Sequence, residues 1–188
     1  MENLFLEKLA LNPIIAAIND LNQLNEAMDS SAEVIFLLTG TIFELQSTVE
    51  RIKKSEKMVF VHFDLMEGFS KDVVGLDYLL SNVKPDGIIS TKNHLVRHAK
   101  EKGYFSIQRL FLLDSLNLQS GIHAIRSNNP DAVEILPGVM PKVTKMIARQ
   151  TQTPIITGGL IMDKEDVISS LNAGATGISS SCKEIWNM

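Results

Sequence analysis

Eight short apolar runs punctuate this chain, at about Pro13–Ile18, Val34–Thr39, Met58–Leu65, Gly87–Thr91, Tyr104–Leu110, Ala132–Leu136, Pro154–Thr157 and Ala175–Ser179. Seven of them are followed by a stretch whose apolar residues recur at helical spacing. Strands that alternate with helices pair in parallel, and eight such units predict an α/β fold, a compact (β/α)8 TIM-type barrel. The competing architecture is an open, doubly wound sheet. Closure is favoured because no strand is skipped and no G-x-G-x-x-G follows the first run.

The length predicts a single (β/α)8 barrel domain over residues 1–188. Such barrels more typically take about 250 residues. The units must therefore be tight, and the last helix, after Ser181, short. Residues 3–11 read as a short N-terminal helix that can plug one end, with Leu4, Phe5 and Leu9 on its apolar side. The outer helices carry ordinary punctuation. Ser70 can cap the third, with Asp72 close to its start. Asp114 or Ser115 starts the fifth, Pro141 opens the sixth and Asp163 caps the seventh.

At 45% hydrophobic and 21% charged, the composition is that of a soluble globular chain, and no run is long and apolar enough to span a bilayer. Glu2, Glu7 and Lys8 break the pattern of a secretory signal. A lone Cys182 excludes an intramolecular disulfide and a cysteine-based metal site. The expected compartment is the cytoplasm, with no membrane partner, no metal and no cofactor; a homo-oligomer is compatible with this reading. The net charge of −4 argues against a generic nucleic-acid binder, whose affinity comes mostly from neutralised phosphates.

In a (β/α)8 barrel the functional groups sit at the C-terminal ends of the strands. Run seven ends in Gly158-Gly159 and run eight in Ser179-Ser180-Ser181. Glycine lets backbone N–H groups approach an anion closely, and the loops after strands seven and eight are the habitual phosphate site of this fold. Gly158, Gly159, Ser179, Ser180 and Ser181 are thus the candidate phosphate ligands, the plain alternative being a tight turn. Asp64 and Glu134 are the candidate carboxylates. They can accept hydrogen bonds from ligand hydroxyls, act as acid and base, or be buried in pairs with Lys92 or Arg109. With Lys92 and Gln108 they form the candidate polyol contacts. In strand three, Phe60, His62 and Asp64 are expected to share one face, with His62 most simply a core residue. No Ser-His-Asp arrangement, HExxH or P-loop is visible. Two basic stripes remain, Lys142, Lys145 and Arg149 on one helix, and Arg97 and Lys100 with His94 and His98 on another. Both read as solvated helix faces, or as an RNA contact if the protein has one.

Several segments together resemble the bacterial glycerol-3-phosphate-responsive transcription antiterminators of glycerol uptake operons. They are PIIAAI at 13–18, VHFDLMEGFSKD at 61–72, DGIISTK at 86–92, IQRLFLLDS at 107–115, EILPGVMPK at 134–142, PIITGGLI at 154–161 and SCKEIW at 181–186. The resemblance covers nearly the whole chain. It implies a regulator, not an enzyme, whose effector is glycerol 3-phosphate and whose macromolecular partner is leader mRNA. The rival expectation is a barrel isomerase, lyase or phosphodiesterase that acts on a small phosphorylated metabolite with Asp64 and Glu134 as acid and base.

Overall fold

The computed structural model describes residues 2–188 as a closed barrel of eight parallel strands. The strands are β1 (Ile14–Ile18), β2 (Val34–Leu37), β3 (Met58–His62), β4 (Gly87–Ser90), β5 (Phe105–Phe111), β6 (Ala132–Leu136), β7 (Ile155–Gly158) and β8 (Gly177–Ser180). Each pairs with its sequence neighbour, and β8 returns to β1 through Ile14, Ile15 and Ala16, so no sheet edge is left open. The helices are α1 (Glu2–Leu11), α2 (Leu24–Asp29), α3 (Leu45–Lys54), α4 (Val73–Tyr78), α5 (Asn93–Glu101), α6 (Ser115–Asn128), α7 (Pro141–Ala148) and α8 (Lys164–Asn172).

The two-residue strand period divides the core into two layers. Ile15, Phe36, Phe60, Ile107 and Ile156 fill the inside of the barrel, whereas Ile14, Ile35, Val61, Ile88 and Ile178 point outward under the helices. Helix α1 closes the N-terminal end. Its Phe5 is fully buried, with its ring 5.2 Å from that of Phe60 and 4.7 Å from that of Phe105. Every polar group of consequence inside the barrel is therefore displaced to the opposite, C-terminal end.

The third strand departs from expectation. It stops at His62, and Phe63–Leu65 form a 3-10 turn, so Asp64 shares no strand face with Phe60 and His62. The reason is local. The Asp64 carboxylate accepts hydrogen bonds from Thr91 N–H, Thr91 Oγ1 and Ser90 Oγ at 2.7–2.8 Å, which draws the chain across towards β4. Asp72, not Ser70, caps α4, because its carboxylate lies three residues before the N–H of Gly75 and accepts it at 2.9 Å. After Ser181 there is only a 3-10 turn, Lys183–Ile185, in place of a short helix.

Candidate functional site

The loops after β7 and β8 form one wall of a cleft of about 440 Å³ at the C-terminal mouth, lined by Gly159, Leu160, Ile161, Ser179, Ser180 and Ser181. Gly159 and Leu160 are both left-handed, with φ of 74° and 62°. Glycine adopts that conformation freely, but leucine does so at a cost that folds tend to accept at ligand sites. Gly158 is needed for another reason: a Cβ there would come within 2.8 Å of Glu134 Oε1. The loop-seven glycines thus serve two purposes, one bending the backbone and one making room for a carboxylate.

The three serines behave differently. Ser179 faces into the barrel and its side chain lines the cleft. Ser180 is structural: its hydroxyl donates to the Ile161 carbonyl at 2.9 Å and accepts from Cys182 N–H, and its carbonyl accepts from the Trp186 indole at 2.7 Å. It ties loop eight to loop seven and leaves no hydroxyl for a phosphate. Ser181 is exposed at the rim.

The floor of the cleft is a buried ion pair. Arg109 Nε donates to Glu134 Oε2 at 2.6 Å, and the two side chains are 8% and 1% exposed. Arg109 lies on the inward face of β5 beyond Phe105 and Ile107, and Glu134 is its register partner on β6. Among the described residues the pair engages only Nε, which leaves Nη1 and Nη2 of the guanidinium for a ligand. The exposed Asn19, just past β1, lines the same cleft. The expected pairing of a buried carboxylate with Arg109 is found at Glu134, whereas sequence reading did not single out Arg109 or Asn19 as lining residues of the cleft. For Arg109 the only signal was its place at the end of the fifth run, because alternation in FSIQRLF does not tell which of Gln108 and Arg109 faces inward.

The remaining candidates separate. Gln108 points outward, away from the cleft, with its amide held between Asn93 Oδ1 at 2.6 Å and Asn128 Nδ2 at 3.0 Å. It is not a polyol contact, because neighbouring residues on a strand face opposite sides. Lys92 does not line the cleft either; its ammonium donates to the Lys71 carbonyl at 3.0 Å. Lys71 in turn donates to the carbonyls of Phe63 and Met66 and sits 5.3 Å above the Phe63 ring, so both lysines brace the loop after β3. Burial works to raise the Asp64 carboxyl, but the bonds from Thr91 and Ser90 outweigh it and hold Asp64 below the usual carboxylate range.

His62 is a further buried titratable group near the mouth. Burial first, then the neighbouring Arg109 charge, pushes its pKa down to about 3, and its Nδ1 has no hydrogen-bond partner among the described residues. It is a neutral imidazole at physiological pH.

Of the basic residues on the outer helices, Lys100 is engaged by Asp131 at 3.0 Å. Arg97, Lys142, Lys145 and Arg149 are exposed, with no salt bridge among the described residues. No described helix is long and apolar enough to cross a membrane.

Residues 14–186 match the family model of the glycerol-3-phosphate responsive antiterminators. The chain is 38% identical over 183 residues to the Escherichia coli (strain K12) protein called "Uncharacterized protein YgcP", covering 97% of this chain and 96% of that one. Among solved structures, the glycerol uptake operon antiterminator regulatory protein of Listeria monocytogenes superposes with a TM-score of 0.90 at 30% identity, over 93% of this chain and 95% of that one. A glycerol uptake operon antiterminator-related protein of Thermotoga maritima gives 0.84 at 31% identity, over 95% and 99%. Aldolases and a sugar-phosphate epimerase at 15% identity or less share the fold alone.

Proposed function

The chain belongs to the glycerol-3-phosphate responsive antiterminator family, and from that premise we propose that its cleft binds glycerol 3-phosphate and that the occupied protein acts on leader mRNA in the cytoplasm. One observation carries the binding site: a guanidinium at the floor of the cleft, held by Glu134 through Nε alone, facing two loops that suit an anion. A phosphate dianion needs charge-assisted donors. Arg109 Nη1 and Nη2, the backbone of Gly159 and the groups of Ser179 and Ser181 supply them. The glycerol hydroxyls need acceptors, and Glu134 Oε1 and the Asn19 amide stand on the same cleft. Glycerol alone would forgo the charge-assisted bonds and bind far more weakly.

We read the protein as a regulator without turnover. The acid–base pair of the enzyme reading is spent elsewhere. Asp64 is occupied by three hydrogen bonds and held ionised, and Glu134 is tied to Arg109. Asp64 is thereby kept from holding a proton at neutral pH, and the Glu134 carboxylate is committed to its ion pair rather than to a reacting proton.

Two measurements test this. Calorimetric titration should give binding of glycerol 3-phosphate, weaker binding of inorganic phosphate and none of glycerol. Binding of the leader RNA, followed over a salt range, should strengthen when glycerol 3-phosphate is present, because a ligand shifts an equilibrium only by preferring one state. Equal affinity for glycerol and its phosphate would refute the site. Turnover of glycerol 3-phosphate or of glycerophosphodiesters that disappears in Glu134→Gln would favour the enzyme.

A further inference from the structure

We propose that the cleft between α5 and α6 is a surface for single-stranded RNA; this rests on the leader-RNA reading above and gives that partner a place on the barrel. Charge is unevenly spread along the chain. Residues 93–150 carry eight Lys and Arg against four Asp and Glu, whereas the rest carries ten against eighteen. Three of the four histidines also fall in this segment. In the fold the segment forms one contiguous sector, α5 through α7, on the flank of an otherwise acidic barrel. A net charge of −4 thus hides a basic face.

Within that sector lies a cleft of about 590 Å³ with a polar lining. Asn93 and Arg97 are one helical turn apart on α5. On α6, Gln119, Ser120, His123 and Ser127 fall on one stripe. No acidic residue occurs between Ser115 and Pro130, and none lines the cleft. Lys100, Lys102 and His98 are paired with Asp131 or Asp77. Arg97 and Arg126 have no ion pair among the described residues; Arg97 lines the cleft, and Arg126 lies on the other side of α6, in an adjoining groove that shares Gln119 and His123 with the cleft, where it rests on the Gln150 carbonyl at 3.3 Å.

Cations flanking a row of amides and hydroxyls match the chemistry of an unpaired RNA strand, with phosphates for the arginines and base edges and 2′-hydroxyls for the side-chain amides. A lipid surface would need an apolar face, and Ala124 is the one apolar side chain in the lining. The floor of the cleft adds the second observation. Asn93 and Asn128, both in the lining, are bonded to Gln108, whose sequence neighbour Arg109 faces the phosphate cleft on the other side of the sheet.

The test compares two double variants of the full chain. Arg97→Gln/Arg126→Gln removes the cation of the cleft and the cation of the adjoining groove, one on each side of the α6 stripe. Lys54→Gln/Lys164→Gln removes two exposed cations from α3 and α8. The parent and each variant are titrated with the leader RNA, with a mixed-sequence single-stranded RNA, with an RNA duplex of the same length and with polyglutamate as competitor, all with glycerol 3-phosphate present. The cleft variant should lose about tenfold or more in RNA affinity, and its log K against log salt should flatten by about 0.7 for each phosphate that is no longer neutralised. The control variant should bind like the parent, Arg97→Lys/Arg126→Lys should recover the slope, and glycerol 3-phosphate affinity should be unchanged throughout. Parent-like RNA binding by the cleft variant overturns this surface and leaves the RNA reading intact. Polyglutamate competing as strongly as RNA at matched charge, or a preference for the duplex, also overturns it. Failure of the parent to bind the leader RNA at any salt overturns the RNA reading itself.

Discussion

Arg109 and Glu134 stand opposite each other on β5 and β6, joined at 2.6 Å beneath the loops that follow β7 and β8. Each side chain would be costly to bury alone, and together they present a cation to the cleft. Removing one partner leaves an uncompensated buried charge, a loss of about 3–5 kcal/mol. Arg109→Met should therefore lower stability by that order and abolish glycerol 3-phosphate binding. The double variant Arg109→Met/Glu134→Leu should recover much of the stability, seen in urea unfolding, while binding stays lost. Ligand binding retained in the double variant would mean that the guanidinium does not hold the phosphate.

Gly159 is the second lever. Its φ of 74° is left-handed, and an added Cβ would meet Leu136 at 3.3 Å. Gly159→Ala should cost about 1 kcal/mol from the strained backbone alone. Gly159→Asp adds a carboxylate where the phosphate should sit and should remove detectable binding. Unchanged affinity for glycerol 3-phosphate in the aspartate variant would place the anion elsewhere.

The acid limb of stability should carry the signature of His62. Its pKa is about 3 in the folded protein against an ordinary value of 6.5. The unfolded chain therefore binds the extra proton first as pH falls. Stability from this group is complete above pH 6.5, declines between 6.5 and 3 by up to about 1.4 kcal/mol per pH unit, and changes no further below 3. Asp64, held below its ordinary value of 3.8, adds a loss that sets in near that pH and continues as the pH falls further. Folded His62→Gln protein should show a flatter stability profile between pH 6 and 4, measured by denaturant unfolding at each pH. An identical profile would place the titration in other groups.

Gln108 offers a test of communication between the two clefts. Its amide is buried and joins Asn93 to Asn128, so Gln108→Met should leave two asparagines short of a partner. The expected result is near-parental binding of glycerol 3-phosphate with a weakened effect of that ligand on RNA affinity. Full ligand dependence in the variant would exclude β5 as the link.

Much of this architecture was legible beforehand because the signals are local. Apolar runs, Asp caps at 114 and 163, and Pro141 at a first turn act within a few residues. That Gly159, Ser179 and Ser181 line one cleft was legible because small residues end the two strands whose loops meet at the mouth, whereas the structural role of Ser180 was not, since its partners Ile161 and Trp186 lie on other segments. The 3-10 turn at Phe63–Leu65 was not, because the bonds that end the strand come from Ser90 and Thr91, far along the chain.

What the sequence by itself determined was the eightfold alternation and hence the barrel, since period and turn chemistry need no knowledge of distant contacts. What only the tertiary structure decided was which face of β5 looks inward. In FSIQRLF both faces mix apolar and polar residues, so alternation alone does not separate Arg109 from Gln108. The pairing of Phe105 with Gly87 and of Arg109 with Glu134 settles it. A slip of one residue would exchange the two side chains, placing the amide in the cleft at the barrel mouth and the guanidinium under the helices, and register across neighbouring strands is a property of the closed sheet alone.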